Sequence, residues 1–388
     1  MRAFFFWSIR IISPFVFLID CLIPKKESLW VFAVGNSNQW EGNSRALFEQ
    51  TKKNQAINPI ILAFSSKSEV PPDDYDKTVL VKSTYGLFYL LRSSVIIIHH
   101  ETSDYVWKGI TKKRHVIFNV WHGIVFKGVG TARNKYTSKK TMKNKSRNTA
   151  VIASSKIDRL AISSCFNIPF NNVMVTGYPR NDWLMSAHEN LPNDLQKKEN
   201  NLLSKINGRK LVLYAPTYRD NTNKLYNFNQ NEILELEYLL KNNNAILVIK
   251  THDYTTAIYD IQSEYIFNFD NYKYYQVQNV LRLTDILITD YSSIWCDYLL
   301  INKPVLAFHY DWEDYLKERT IIYDFKLMFP GEIAYNFTEL ISFLDDLFQN
   351  KENEHKKTRY RFALNSFHNY FDGKNSERVF NEILKLQQ

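Results

Sequence analysis

The feature that most constrains this chain is a series of short, almost continuous apolar runs separated by stretches of helix length. In the first half they read as strands at 29–34, 59–64, 78–81, 94–98, 115–120, 149–154 and 173–176. In the second half they fall at 210–215, 245–249, 285–289 and 304–308. A strand that is apolar on both faces must be covered on both faces, and parallel sheets flanked by helices do this repeatedly. The spacing therefore predicts an α/β chain of two doubly wound, Rossmann-like domains facing across a cleft. At 388 residues there is enough chain for two cores. The Asn- and Lys-rich stretch 186–208 is the seam, so the domains are expected at 29–190 and 205–365. Residues 366–388 read as a C-terminal helix that returns to the first domain.

Composition narrows the class. With 45% hydrophobic and 23% charged residues, the chain is neither disordered nor a multi-span membrane protein. Cys21, Cys165 and Cys296 are far apart, with no CxxC pair and no zinc-type histidine spacing. No disulfide framework and no metal site is expected, and the compartment is a reducing one. Asp74-Tyr75-Asp76, after Pro71-Pro72, reads as an acidic surface loop rather than a metal site.

The net charge of +9 is local. Residues 105–157 hold thirteen Lys or Arg and no Asp or Glu, whereas 36 basic residues face 40 acidic ones elsewhere. This stretch, with Lys139, Lys140, Lys143, Lys145 and Arg147 at its centre, predicts an anionic partner: nucleic acid, lipid head groups or a phosphorylated substrate. A solvated lysine loop is the plainer alternative. The N-terminal segment, residues 1–28, opens on Phe4-Phe5-Phe6-Trp7, but Arg10, Pro14 and Asp20 interrupt it. That pattern suits neither a spanning helix nor a signal peptide. It fits an interfacial anchor or a buried first helix of the domain.

Four strands end in polar clusters. They are Trp121-His122-Gly123 running on to Lys127 and Gly130; Pro216-Thr217-Tyr218-Arg219-Asp220; Lys250-Thr251-His252-Asp253; and Asp290-Tyr291-Ser292-Ser293. Ligands of open parallel sheets bind beyond the carboxyl ends of the strands, so the four clusters can line one crevice. His122, beside a glycine-punctuated loop, is placed to take a proton from an incoming hydroxyl. His252, with Lys250, is placed to stabilise phosphoryl oxygens. Ser292 and Ser293 open the expected helix 294–301, whose free amides make a phosphate site or, more plainly, a serine cap. His99 and His100 show no comparable context.

Taken together, these clusters carry a resemblance. Trp121-His122-Gly123 with Lys127 and Gly130, Gly177-Tyr178-Pro179-Arg180-Asn181-Asp182, Tyr214-Ala215-Pro216-Thr217-Tyr218-Arg219-Asp220 and Asp290-Tyr291-Ser292-Ser293 with Asp297-Tyr298 follow one another in order. Lys303-Pro304, Tyr310-Asp311, Tyr315, Asp372-Gly373 and Glu377-Arg378 continue the series. The chain resembles the CDP-glycerol glycerophosphotransferases, the primases and polymerases of teichoic acid and related capsule polymers.

The resemblance implies a glycosyltransferase-B architecture, an acceptor- and membrane-facing first domain and a CDP-glycerol-binding second domain. It implies attack by an acceptor hydroxyl on the glycerol-bearing phosphorus, with CMP leaving and neither metal nor cofactor required. His122 would be the general base and His252 would support the phosphates. Gly123, Lys127, Arg180, Pro216, Thr217, Arg219, Lys250, Asp290, Ser292, Ser293 and Asp297 would form the donor site. Val125 stands where the family often has Pro, and Asp253 where an apolar residue or Pro is usual. The implied acceptor is an anionic, lipid-linked saccharide at the cytoplasmic face of a bacterial membrane, with the enzyme held there peripherally. The limited length favours priming or single addition over polymerisation. CDP-ribitol transfer and nucleotide-sugar transfer are the neighbouring alternatives. A basic nucleic-acid-binding module would leave the strand-end clusters unexplained, so no nucleic acid is expected.

Overall fold

In a computed structural model, residues 2–35, 40–133, 147–217, 219, 225–250, 261, 263–268, 277–350 and 354–388 are described. They build two parallel sheets. The first comprises β1 (Lys26–Ala33), β2 (Asn58–Ala63), β3 (Thr78–Leu80), β4 (Ser93–Ile98), β5 (Val116–Asn119), β6 (Ala150–Ala153) and β7 (Val173–Val175). Its order is β3-β2-β1-β4-β5-β6-β7. The second comprises β8 (Lys210–Ala215), β9 (Ala245–Ile249), β10 (Ile266–Asn268), β11 (Ile286–Thr289), β12 (Val305–Phe308) and β13 (Glu332–Ala334), in the order β10-β9-β8-β11-β12-β13. Both sheets are doubly wound, reversing direction between β1 and β4 and between β8 and β11.

Each apolar run read from the sequence forms a strand, with ends moved by up to three residues. The short strands β10 and β13 were not anticipated: three residues, partly polar, carry too little pattern. The expected helix 294–301 forms as a helix at Ile294–Tyr298 continued by a tighter turn at Leu299–Ile301. One reading is corrected. Asp74 is buried in a short 3₁₀ helix rather than placed on a surface loop, and it accepts from Lys52 Nζ at 2.9 Å.

The central strands are buried on both faces, as in Val31, Phe32, Ile96 and Ile97. A single apolar cluster runs from the first sheet into the second. Its junction is aromatic: Phe126, from the segment after β5, packs edge-on against Trp295 and Phe367, with centroids 5.4 and 6.0 Å away. Burying each such ring contributes about 1.5–3 kcal/mol. Backbone pairing reinforces the junction, since Gly128 N–H donates to Thr320 O and Ile322 N–H to Phe126 O. The C-terminal helix Asn375–Gln387 lies on the first sheet, with Phe380 5.2 Å from Trp30 and Gln387 Nε2 donating to Glu27 O.

The helix Arg2–Leu22 docks through one edge. Val16 and Asp20 are buried, and Asp20 meets His115 Nε2 at 2.7 Å while accepting from Lys25 Nζ. Burial alone would raise the Asp20 carboxyl, yet His115 and Lys25 hold it below its ordinary value. Among the described residues no helix is long and apolar enough to cross a membrane.

Candidate active site

Among the described residues the polar clusters follow the carboxyl ends of β5, β8, β9 and β11, and the β5 cluster meets the second sheet through Arg180 and Asp297. After β5 the chain turns sharply. Trp121 has φ +47°, a conformation that costs a bulky residue free energy and persists only when surroundings enforce it. Asn119 Oδ1 accepts from Trp121 N–H at 2.8 Å, and buried Asn43 Nδ2 donates to the carbonyls of Val120 and Trp121. This turn leaves Trp121 buried and presents His122 to solvent, its ring 4.0 Å from the indole. Gly123 follows with φ +146°, and a Cβ there would lie 2.9 Å from Arg180 Nη2. A glycine is thus what allows the guanidinium to close over the loop.

Arg180 joins the two halves of the site. Its Nη1 donates to His122 O at 2.7 Å, and its Nη2 forms an ion pair with Asp297 across the junction. Asn181 Nδ2 donates to the other Asp297 oxygen at 3.0 Å. Both carboxylate oxygens of Asp297 are therefore engaged by Arg180 and Asn181, and the residue is buried. Asp158, equally buried, accepts from Val125 N–H, Ser154 N–H and Tyr178 Oη, which pins the far side of the same loop. Burial pushes its carboxyl up to about 6.

The second cluster is stitched at the β8/β11 reversal. Asp290 accepts from Thr217 N–H at 2.9 Å and from Arg219 Nη1 at 2.9 Å. Arg219 also donates from Nε and Nη2 to Asp311 and from Nη1 to Thr217 O. Its guanidinium sits among the rings of Tyr291, Tyr310 and Tyr315, and Tyr291 and Tyr315 stack at 3.7 Å. Arg219 and Asp290 are buried, Arg219 being held by Asp290 and by Asp311. They support the surface of Pro216, Thr217, Ser292 and Ser293. Thr217 Oγ1 is buried with no hydrogen-bond partner among the described residues.

The remaining expected residues are placed as follows. Lys127 pairs through its backbone with Ile321 in the cross-sheet bridge, and Lys250 follows β9, half-buried, its N–H donating to Tyr214 O. Arg147 is exposed. His252, Lys139, Lys140, Lys143 and Lys145 lie outside the described residues, as do the side chains of Phe4, Phe5, Phe6 and Trp7.

The sequence reading missed His99 and His100. They follow β4, the neighbour of β5, and their rings lie 5.8 and 4.8 Å from that of His122. Asp104 Oδ2 fixes their backbone, accepting from His99 N–H at 2.9 Å and His100 N–H at 2.7 Å. Burial, then the neighbouring His100 and Arg180, pushes the His99 imidazole well below its ordinary value. Histidines at the ends of two strands were the available signal; that these strands are neighbours was not.

Residues 15–385 match the sequence model of a family described as CDP-glycerol:poly(glycerophosphate) glycerophosphotransferase. The chain belongs to this family. It is 28% identical over 389 residues to the teichoic acid poly(ribitol-phosphate) polymerase of Bacillus spizizenii, a match covering 97% of this chain and 60% of that protein. It is 26% identical over 398 residues to the teichoic acid poly(glycerol phosphate) polymerase of the same species, covering 97% of this chain and 96% of the relative. The chain thus spans the whole of one such relative and about three-fifths of the other. A solved structure of the wall teichoic acid polymerase TagF superposes with a TM-score of 0.75 at 21% identity, over 95% of this chain and 92% of that one. That likeness is one of fold, the glycosyltransferase-B arrangement of two doubly wound units. A histidine-to-asparagine variant of TagF has been solved after soaking with CDPG.

Proposed function

We propose that this member of the family transfers glycerol phosphate from CDP-glycerol to a hydroxyl of a membrane-associated, lipid-linked acceptor in teichoic acid or capsule polymer synthesis. The observation that carries the reading is the Arg180 bridge, which locks the His122 loop of the first sheet to the Asp297 helix beside Ser292 and Ser293 in the second. In this reading the acceptor oxygen attacks the glycerol-bearing phosphorus and its proton passes to the His122 imidazole. The bond from that phosphorus to the bridging oxygen breaks, and CMP departs with the oxygen. Thr217, Ser292, Ser293 and Lys250 are assigned to the diphosphate, with Gly123 and Lys127 bordering it; His252 is assigned to support its phosphates from sequence alone, and no metal is required. Residues 29–190 form the acceptor side and 205–365 the donor side. Priming or single addition is the preferred mode in this reading.

The first helix supports the reading of membrane association. Ile11, Phe15, Leu18 and Leu22 recur at helical spacing on its outer face and are exposed, opposite buried Val16 and Asp20. Gly109 lies against Ser13, Val16 and Phe17, and Arg114 Nη2 donates to Ile23 O, so the acid-free stretch underlies this helix and meets its C-terminal end. An exposed apolar face with basic residues beside it suits a peripheral anchor on an anionic leaflet, where each cation near the surface adds about 1 kcal/mol.

CDP-ribitol is the second reading, favoured by the likeness to a poly(ribitol-phosphate) polymerase. Incubation with CDP-glycerol and with CDP-ribitol across lipid-linked acceptors, followed by product mass, decides between them. The expected product carries one added glycerol phosphate. Addition of ribitol phosphate alone overturns the donor assignment, and a ladder of units overturns the preference for priming.

A further inference from the structure

The three histidines at the ends of β4 and β5 form an arrangement that the transfer reaction does not call for. The imidazole nitrogens of His99, His100 and His122 can all be drawn from within 4.8 Å of one another. Adjacent residues of an extended strand point to opposite sides. Here the chain bends as β4 ends, and both rings turn toward His122. Each backbone that carries a histidine is held: buried Asp104 binds the amides of His99 and His100, and buried Asn43 and Asn119, with partly exposed Arg180, hold the turn around His122. Ligands of a tetrahedral zinc lie about 2.0–2.1 Å from the ion and hence roughly 3.3 Å apart, so side-chain rotations closing about 1.5 Å complete the set. Arg180, which donates to His122 O, is paired with Asp297, which limits its repulsion of a bound ion.

We propose that His99, His100 and His122 bind a transition-metal ion of the zinc class, and that the bound ion silences the transferase. Three imidazoles with a fourth position open toward the cleft is a donor set that such ions favour over magnesium or calcium. The silencing rests on the reading of His122 as proton acceptor: a ring nitrogen whose lone pair is held by the metal cannot take the acceptor's proton. No bond to substrate is made or broken in this step. The site would tie turnover to the free zinc level.

The test uses the tag-free full chain. Co²⁺ serves as the spectroscopic probe, because it replaces zinc and absorbs visibly in tetrahedral nitrogen sites. The expected result is one equivalent of visible absorption, displaced by Zn²⁺. His99→Gln and His100→Gln, with folding checked by circular dichroism, should each weaken binding about 100-fold or more. In parallel, Zn²⁺ should lower turnover at least tenfold in the parent, reversibly with EDTA, at concentrations that leave the two variants active. Absence of a cobalt band in the folded parent overturns the site and leaves the His122 assignment to be judged on the chelated enzyme. Stoichiometric binding with turnover unchanged or raised overturns the silencing, and with it the use of that nitrogen as base.

Discussion

Removing the carboxylate of Asp297 should damage both stability and turnover, because one buried group links the His122 loop to the second sheet. Asp297 is 2% exposed and Arg180 18%. Deleting one member of a buried pair leaves the other charge without compensation, at a cost of about 3–5 kcal/mol when both are enclosed. Partial access of Arg180 to water places Asp297→Ala near the lower end, about 3 kcal/mol. Asn181 Nδ2 also loses its acceptor, which is included in that figure. Urea unfolding followed by tryptophan fluorescence reads the change, since Trp295 lies two residues away and is fully buried. A double-mutant cycle with Arg180→Ala isolates the pair, with an expected coupling of about 1–3 kcal/mol. The exposed pair Lys317–Asp314 is the control, where solvent screening should leave no resolvable coupling. Released from Asp297, Arg180 no longer holds the His122 carbonyl in place, and turnover should fall on the order of tenfold or more. Coupling no larger than in the control, with turnover intact in Asp297→Asn, refutes the bridge.

Three other outcomes are expected. Phe15→Glu with Leu18→Glu alters only exposed positions, so folding should persist while sedimentation with anionic vesicles at high salt is lost; undiminished sedimentation removes the helix from the membrane. Turnover should survive excess EDTA, and complete loss restored by Mg²⁺ would show that the phosphates need a metal. His368 donates from Nε2 to Cys296 O and accepts from Ser154 Oγ, and burial lowers its pKa below 6.5. The unfolded chain then binds the proton more readily, so stability should fall as pH drops below about 6.5. In His368→Gln the slope of the urea midpoint between pH 7 and 5 should be shallower, and an unchanged slope contradicts the assignment.

The fold was legible because its strands are nearly uniform. Runs such as Val95-Ile96-Ile97-Ile98 and Leu211-Val212-Leu213 announce burial on both faces, and the gaps between them fit helices. β13 escaped because Glu332-Ile333-Ala334 is as short as a turn. Positions near the site were legible too, since strand ends are where ligands bind in such sheets. Roles were not. Arg219, Asp290 and Asp297 stand in the sequence as donor-site residues, and their partners are invisible there because each opposite charge is far along the chain: Asp311 lies 92 residues from Arg219, and Arg180 117 from Asp297. Asp104 and Asn43 are ordinary residues in sequence, and only their burial beside the His loops reveals what they hold.

The central claim is that His122 accepts the proton of the attacking hydroxyl. Acceptor-dependent CMP release from CDP-glycerol, measured for the parent and for folded His122→Ala alongside their affinity for the donor, tests it most directly. The account predicts a loss of about 100-fold or more in turnover with donor affinity little changed. Turnover close to the parent's in the folded variant contradicts it.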